Sequence, residues 1–176
     1  MATFPWNTVG GYDFYEVLSA LQKTIRRGER DAALYWSTEL YLSEYADHAW
    51  RRLIVIASED VGIADPMVFV QIRLLYETWK ERKKESEAKL FFVDAVLRLV
   101  LAPKSRITDN ALIVFFEGSR PRFEMPDFAL DVHTAKGRQM GRGQKHFFEE
   151  GARTVPSFIN DPYERDAKEI RTGETE

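Results

Sequence analysis

Apolar residues in most of this chain recur at steps of three and four positions, which is the spacing of one face of an α-helix. Six segments show this pattern. The first runs from Phe14 to Ile25, and Gly28 follows two arginines, as is typical of a helix C-terminus. A second helix is predicted over about residues 31–45, and Asp47 is a candidate cap for a third. The pattern therefore predicts an all-α fold, a helical bundle.

The fourth predicted helix follows a turn with three acidic residues, in RRLIVIASEDVGIADP (residues 51–66). Gly62 stands where a C-cap glycine would end the third helix. Asp65 followed by Pro66 is typical of an N-cap and a first helical position, so Asp65 is predicted to stabilise the start of the fourth helix. The predicted inward face of that helix carries Val68, Ile72, Leu75, Tyr76 and Trp79.

A mixed-charge run over residues 79–89 is predicted to connect the fourth helix to a fifth. Ser86 is a candidate cap for the fifth helix, and Pro103 ends it. The predicted core stripe of this helix is Leu90, Val93, Leu97, Val100 and Leu101, extended by Phe91 and Phe92. A sixth helix is predicted over about residues 108–117, with a strand as the alternative because LIVFF is β-prone.

The chain changes in character after Gly118, where Pro121 and Pro126 interrupt the pattern and a short helix is predicted near Asp127. Residues 154–176 are mostly polar and charged, which is typical of an extended or disordered tail. The predicted organisation is an N-terminal extension (1–11), a helical domain (12–153) and a charged, flexible tail (154–176).

Composition narrows the class of protein. The chain has 176 residues, 44% of them hydrophobic, which suits one domain with a buried core. The net charge of −3 gives no overall basic field toward nucleic acid. There is no cysteine, which excludes disulfides and thiolate catalysis, and no apolar run reaches the length of a membrane span. Because the N-terminus also lacks the regions of a signal peptide, a cytoplasmic protein is predicted.

The acidic residues Glu59, Asp60 and Asp65 have a structural and a catalytic interpretation. Near the negative end of a helix, Glu59 and Asp60 need a cationic partner, such as Arg51, Arg52 or a later lysine. The alternative is an enzyme that uses one of these carboxylates with a histidine, either directly or through a metal ion. The sequence contains no HExxH, GxSxG or GxxxxGK[ST] motif. The structural interpretation is favoured, and no catalytic residue, metal site or cofactor is predicted.

The stretch HTAKGRQMGRGQKHFF (residues 133–148) interleaves cations with glycines. Between positions 131 and 146 there are four cations and one acid, a local charge of +3 in a chain of net charge −3. Glycines let backbone N–H groups approach an anion, and cations make charge-assisted contacts to phosphate. The candidate nucleic-acid or phosphate-binding residues are Lys136, Arg138, Arg142 and Lys145. A solvated loop or a subunit contact is the alternative.

Aromatic residues at helical spacing have two interpretations, base stacking and packing. Their spacing favours the core or a subunit interface, where rings with a polar tip are common. The residues concerned are Tyr35, Trp36, Tyr41, Trp50, Tyr76 and Trp79.

Three blocks of the sequence resemble a known protein family. They are YDFYEVLSALQKTIRRGERDAALYW (12–36), RRLIVIASEDVGIADP (51–66) and LRLVLAPKS (97–105). Their order and spacing are similar to those of the C-terminal region of the MgsA/RarA family, bacterial replication-associated recombination AAA+ ATPases related to the eukaryotic Werner-helicase-interacting protein. The resemblance covers residues 12–118 and continues weakly through 131–148, where the family also has a histidine, basic residues and glycines.

The chain also departs from the family. The ATPase portion, with its Walker motifs and arginine finger, is absent, and HFFEEGARTVP replaces a tyrosine- and histidine-rich zone. The resemblance implies a bundle like the post-AAA+ collar of clamp loaders, a homotetramer, and a non-enzymatic role in DNA replication, recombination or repair. Such a domain would contact itself or a separate AAA+ ATPase. Direct nucleic-acid binding through residues 133–148 is the alternative function.

Overall fold

The computed structural model describes residues 6–119, 122–157 and 160–173. Within these ranges the secondary structure is helical, and the one β-type pairing is an isolated antiparallel bridge between Asn7 and Asp13. The all-α prediction is confirmed, and the segment LIVFF is helical. The chain divides into two compact units, residues 1–120 (unit 1) and 121–176 (unit 2). Pro121 lies outside the described residues.

Unit 1 is built on a central helix. Its helices are α1 (Phe14–Arg27), α2 (Arg30–Leu42), α3 (Ala46–Ile56), α4 (Val68–Arg82), α5 (Ala88–Leu101) and α6 (Ile107–Leu112). Helix α3 contacts α1, α2, α4 and α5, while α1 also packs on α2 and α4 on α5. Wide π-helical turns extend α3 over Ala57–Val61 and α6 over Ile113–Glu117. None of the helices in the described ranges is long and apolar enough to cross a membrane.

Aromatic rings fill the centre of the core of unit 1. Trp50 of α3 is fully buried, and its ring centroid lies 5.5 Å from that of Tyr76, 5.7 Å from Trp79 and 5.4 Å from Phe92. Large rings remove much apolar area from water, which is the main stabilising contribution to such a core. The packing interpretation is therefore confirmed for Trp50, Tyr76 and Trp79, whereas Tyr35 is 50% exposed.

Helix α1 begins and ends at residues with clear local causes. Asp13 accepts hydrogen bonds from the backbone N–H groups of Tyr15 (2.8 Å) and Glu16 (3.1 Å), which would otherwise lack a partner in the first turn. At the other end, Gly28 adopts the left-handed conformation (φ 72°), as the sequence predicts. These two positions set the length of α1.

The predicted caps of α3 and α4 are displaced in the structure. Helix α3 begins at Ala46, so Asp47 lies in its first turn and does not precede it. Helix α4 begins at Val68, and Asp65 stabilises the preceding turn by accepting a hydrogen bond from Met67 N–H at 3.0 Å. Short polar side chains favour such turns as well as caps, which explains the displacement.

The predicted core face of α5 is wrong in part. Leu90 and Leu101 are 66% and 75% exposed. The buried residues of α5 are Ala88, Phe92, Ala95, Val96, Leu99 and Val100. Because α5 is apolar on most of its surface, its periodicity does not distinguish the buried side. Ser86 bonds the side chain of Glu87 at 2.8 Å instead of capping the helix, which begins at Ala88.

Unit 2 consists of short helical segments. They are a 3₁₀ turn (Asp127–Ala129), α7 (Ala135–Gln139), α8 (Gln144–His146) with a π-helical extension (Phe147–Gly151), and α9 (Glu164–Thr172). Among its described residues, only Asp131 and Gly137 are buried, so this part has no apolar core. Helix α9 lies within the segment predicted to be a tail, and the predicted domain boundaries stay predictions.

Candidate interaction sites

Glu59 and Asp60 lie in the π-helical turn that follows α3. Asp60 is fully buried. Arg26, in the last turn of α1, donates to both carboxylates: Nη2 lies 2.9 Å from Glu59 Oε1, and Nε contacts Asp60 Oδ1. The partner is therefore Arg26 and not Arg51 or Arg52, because the packing of α1 against α3 brings residues 26 and 60 together.

The remaining polar groups of Asp60 also bind within the fold. Gln22 Nε2 donates to Asp60 Oδ2 at 3.0 Å, and the N–H of Ser105 donates to the backbone oxygen of Asp60 at 2.9 Å. The hydrogen bond to Asp60 is the main reason why the pKa of Arg26 is raised. Both carboxylate oxygens of Asp60 thus have donors, and the group connects α1 to the end of α3. The geometry is that of a structural ion pair.

Lys104 is the later lysine near this pair. Its Nζ donates to the backbone oxygens of Val100 at 2.9 Å and Ala102 at 2.5 Å, at the end of α5. Burial lowers its pKa from the ordinary value of 10.5, and the charge of Asp60 acts in the opposite direction. Lys104 therefore neutralises the negative end of α5 and not the carboxylates directly.

Arg142, one of the four predicted anion-binding residues, is bound inside unit 2. Its Nη1 donates to the backbone oxygens of Asp127 at 2.8 Å and Leu130 at 2.9 Å, and its Nη2 contacts the Asp127 carboxylate. The side chain is 18% exposed. Its guanidinium therefore closes the turn that begins at residue 127.

The other three predicted cations lie on the two short helices of the same segment. Lys136 and Arg138 are in α7, and Lys145 is in α8; all three are exposed. Arg138 Nη1 also donates to the backbone oxygen of Val132 at 3.0 Å. The structure thus brings the cations into one compact segment, and their binding to nucleic acid or phosphate stays a prediction.

Two glycines of this segment have a structural role of their own. A Cβ atom at Gly137 would lie 1.9 Å from the backbone oxygen of Asp131, so only glycine permits this approach. Its N–H is bonded to Thr134 Oγ1 at 3.0 Å. Gly141 has φ 75° and follows the end of α7. These requirements hold whether or not the segment binds an anion.

His133 of unit 2 stabilises a turn. The N–H of His133 donates to Asp131 Oδ1 at 2.9 Å, and its Nδ1 lies 3.2 Å from Asp131 Oδ2. These contacts lower the pKa of Asp131 from its ordinary value of 3.8; the backbone hydrogen bond is the larger cause and the contact with the His133 ring is the second. In the part of the chain that the structure describes, no group of three or more His, Cys, Asp or Glu residues is arranged to hold a metal ion.

Unit 1 exposes an apolar surface on the sixth helix that the sequence predicts. Helix α6 and its π-helical turn, residues 107–117, contain no buried residue among the described ones. The exposed apolar side chains, here called the α6 surface, are Ile107, Leu112, Ile113, Val114, Phe115 and Phe116. Phe116 is 86% exposed. This exposure makes the α6 surface a candidate interaction site.

An apolar groove adjoins the α6 surface. Ile54 and Val55 of α3, Phe69 of α4 and Leu112 of α6 line it. On the outer side of α4, Leu74 is 68% exposed. Apolar spacing did not identify this surface, because it predicts a helix over residues 108–117 but not which of its side chains are exposed. The available signal was that α4 and α5 carry apolar residues outside a single stripe.

Comparison with known proteins identifies the family of the chain. The family described as MgsA AAA+ ATPase C terminal matches residues 28–173. Proteins named replication-associated recombination protein A are similar: that of Bacillus subtilis is 35% identical over 133 residues, 73% of this chain and 31% of the relative. That of Escherichia coli K12 is 34% identical over 143 residues, 77% of this chain and 31% of the relative.

The match also includes regions that the resemblance covered weakly or not at all, since it continues through residues 131–148 to residue 173. The chain spans about 31% of the length of these two relatives. The all-helical fold agrees with the match, which includes residues 28–36 of the first sequence block and the whole of the other two. The chain therefore belongs to the MgsA AAA+ ATPase C-terminal family.

Proposed function

We propose that this chain is a non-catalytic helical domain that associates with copies of itself through the α6 surface and functions in DNA replication, recombination or repair. The observation that carries the proposal is the exposure of Phe115 (51%) and Phe116 (86%) together with the aliphatic residues beside them. Contiguous apolar surface of this kind marks protein interfaces. Aromatic side chains are enriched at the centres of such interfaces.

The biological process is proposed from the relatives. Two of them are named for replication-associated recombination, and this chain matches their sequence over 31% of their length. We propose a cytoplasmic homotetramer, comparable to the collar of a clamp loader, that acts alone or docks on a separate AAA+ ATPase. Closed symmetric assemblies are the usual form of self-associating proteins.

Burial of the α6 surface would stabilise an assembly substantially. Full burial of a phenylalanine side chain contributes roughly 1.5–3 kcal/mol. Several such side chains per subunit would offset the loss of translational and rotational freedom on association. The adjoining groove, lined by Val55, Phe69 and Leu112, gives the surface a concave part in which a side chain of a partner can pack.

The test is the native molar mass by light scattering at several protein concentrations. The natural chain is expected to be a tetramer, and Phe116→Asp is expected to shift it toward monomers because it places a charge in the interface. Phe123→Asp, at an exposed phenylalanine of unit 2 (80%), is the matched control and should leave the mass unchanged. A monomeric natural chain, or a Phe116→Asp tetramer, would contradict the proposal.

A second candidate function is direct binding of nucleic acid by Lys136, Arg138, Arg142 and Lys145. The exposure of the two lysines and Arg138 supports it, while Arg142 would hold the shape of the segment. Phosphate contacts make affinity fall steeply with salt. Titration of labelled DNA at two salt concentrations, with alanine at the three exposed cations, tests this function. Unchanged binding by that variant would remove these residues from consideration.

A further inference from the structure

A cleft of unit 1, between the start of α1 and the outer side of α3, combines an apolar floor with aromatic and cationic walls. Phe14 and Leu18 form the floor and are 2% and 7% exposed. Trp6 and Tyr15 also line the cleft, and α3 contributes two arginines together with His48, whose ring packs against that of Trp6 at 5.8 Å. Neither proposed function uses this cleft, and it lies in a different unit from residues 133–148.

Two aromatic side chains that line the cleft, Trp6 and Tyr15, pack on neighbouring rings and remain partly exposed. The ring of Trp6 stacks on that of Tyr45, with an interplanar angle of 6° and a centroid distance of 6.0 Å, and Trp6 remains 37% exposed. Tyr15 is 57% exposed. A ring that is held by a neighbour and still exposed can stack on a planar ligand with little loss of side-chain freedom.

Helix α3 contributes His48, Arg51 and Arg52 to the lining of the cleft. Arg52 is oriented by the fold: its Nη1 donates to Gln22 Oε1 at 3.1 Å, and Gln22 in turn donates to the buried Asp60. Of the described residues that line the cleft, none is an aspartate or a glutamate. The chain as a whole has a net charge of −3, but this cleft carries two arginines and no carboxylate, so its local charge is complementary to an anion.

We propose that this cleft binds a nucleotide unit of a single-stranded nucleic acid. The base stacks on Tyr15 and Trp6, and the phosphate pairs with Arg51 and Arg52. Rings and cations side by side are the two components of single-strand sites that do not depend on sequence. Arginine suits phosphate because its planar guanidinium can donate two parallel hydrogen bonds. An acidic peptide would use the arginines but not the exposed ring faces, so nucleic acid fits the cleft better.

The test measures fluorescence anisotropy of a labelled short oligothymidylate titrated with the full chain at low salt. The double variant Tyr15→Ala, Arg51→Gln removes one exposed ring and one exposed cation and should weaken binding by about tenfold or more. Its matched control is Tyr35→Ala, Arg30→Gln, which removes the same groups from exposed positions of α2. The control should bind within about twofold of the natural chain.

Two further arms separate stacking from charge. Tyr15→Phe keeps the ring and should retain the affinity of the natural chain, which assigns the contribution of Tyr15 to its ring and not to its hydroxyl group. An abasic strand of equal length, or polyglutamate, should bind about tenfold more weakly than oligothymidylate because neither has bases to stack. Equal affinity for polyglutamate would identify an acidic-polymer site and overturn the proposal. Unchanged binding by the double variant would overturn it as well.

Discussion

Units 1 and 2 are both helical, but the interactions that stabilise the inside of each unit are different. In unit 1, long helices bury aromatic and aliphatic side chains around Trp50. In unit 2, the buried residues among those described are Asp131 and Gly137, and hydrogen bonds to Thr134, His133 and Arg142 define the turns. Apolar burial sums over many contacts, whereas each hydrogen bond contributes only about 1 kcal/mol net. We therefore expect unit 1 to be much the more stable.

The polar groups of the two units differ in the same way. In unit 1 the ion pair of Arg26 and Asp60 is enclosed, with Asp60 fully buried. In unit 2 the pair of Arg142 and Asp127 is at the surface, since the Asp127 side chain is 69% exposed. Loss of Arg26 would leave the Asp60 carboxylate buried without a cation, whereas loss of Arg142 would leave the Asp127 carboxylate in contact with water. Equivalent substitutions in the two units should therefore have very different effects.

The largest expected effect is the loss of the central core ring. Trp50→Ala should lower the free energy of unfolding by about 3–5 kcal/mol, because it removes a fully buried ring and leaves a cavity. Met125→Ala in unit 2, at a residue that is 66% exposed, should change it by less than about 0.5 kcal/mol. Urea unfolding followed by circular dichroism reports both helical units, and tryptophan fluorescence reports unit 1 alone, because every tryptophan lies in the first 120 residues. Similar losses from both substitutions would contradict the comparison.

The next effect comes from the enclosed ion pair. Asp60→Asn should cost about 3 kcal/mol, because the amide NH2 group would face the donor of Arg26 or Gln22 at a fully buried position. Asp127→Asn should cost less than about 1 kcal/mol, because water screens that pair. Thermal unfolding at low and high salt measures both, and added salt should reduce only the smaller effect. A cost for Asp60→Asn as small as that for Asp127→Asn would show that the enclosed pair is dispensable.

A close backbone contact in unit 2 gives a smaller, local effect. The Cβ of Gly137→Ala would lie 1.9 Å from the backbone oxygen of Asp131, so the turn must move, at a cost of about 1–3 kcal/mol. Gly143→Ala is the control, since no described atom lies within 4 Å of its Cβ and its φ is −100°. Amide hydrogen exchange over residues 131–142 should increase in the first variant only. Increased exchange in both would show that the contact with Asp131 is not the cause.

The smallest expected effect depends on pH. The pKa of Asp131 is lowered in the folded chain, chiefly by the hydrogen bond from the N–H of His133. This contribution to stability is therefore present above the ordinary pKa of 3.8 and is lost as the pH falls through the lower folded value. Amide exchange around residues 131–134 should increase in that acidic range. Asp131→Asn should abolish the dependence, and its persistence would assign the change to another group.

Apolar periodicity was sufficient to predict the buried side of a helix that has one apolar side. It did not predict the buried side of a helix that is apolar on more than one side. For α1 the buried side and the terminal Gly28 follow from the sequence. For α5, and for Phe115 and Phe116 after α6, apolar spacing does not show which side chains meet the core. The candidate site on α6 was therefore recognisable only from exposure. The cations of residues 133–148 were identified from composition, but the binding of Arg142 to backbone oxygens was not.

The sequence alone determined the helical class, the family and most helix positions, because these depend on local spacing and on recognisable blocks. Tertiary structure decided which partners the polar groups have. Arg26 and Asp60 are 34 positions apart and meet only because α1 packs on α3. It also decided that Trp50 is buried and Phe116 exposed, although both are aromatic residues in helical segments. Local spacing specifies a helix and its apolar residues, whereas the packing of other helices determines which of those residues lose contact with water.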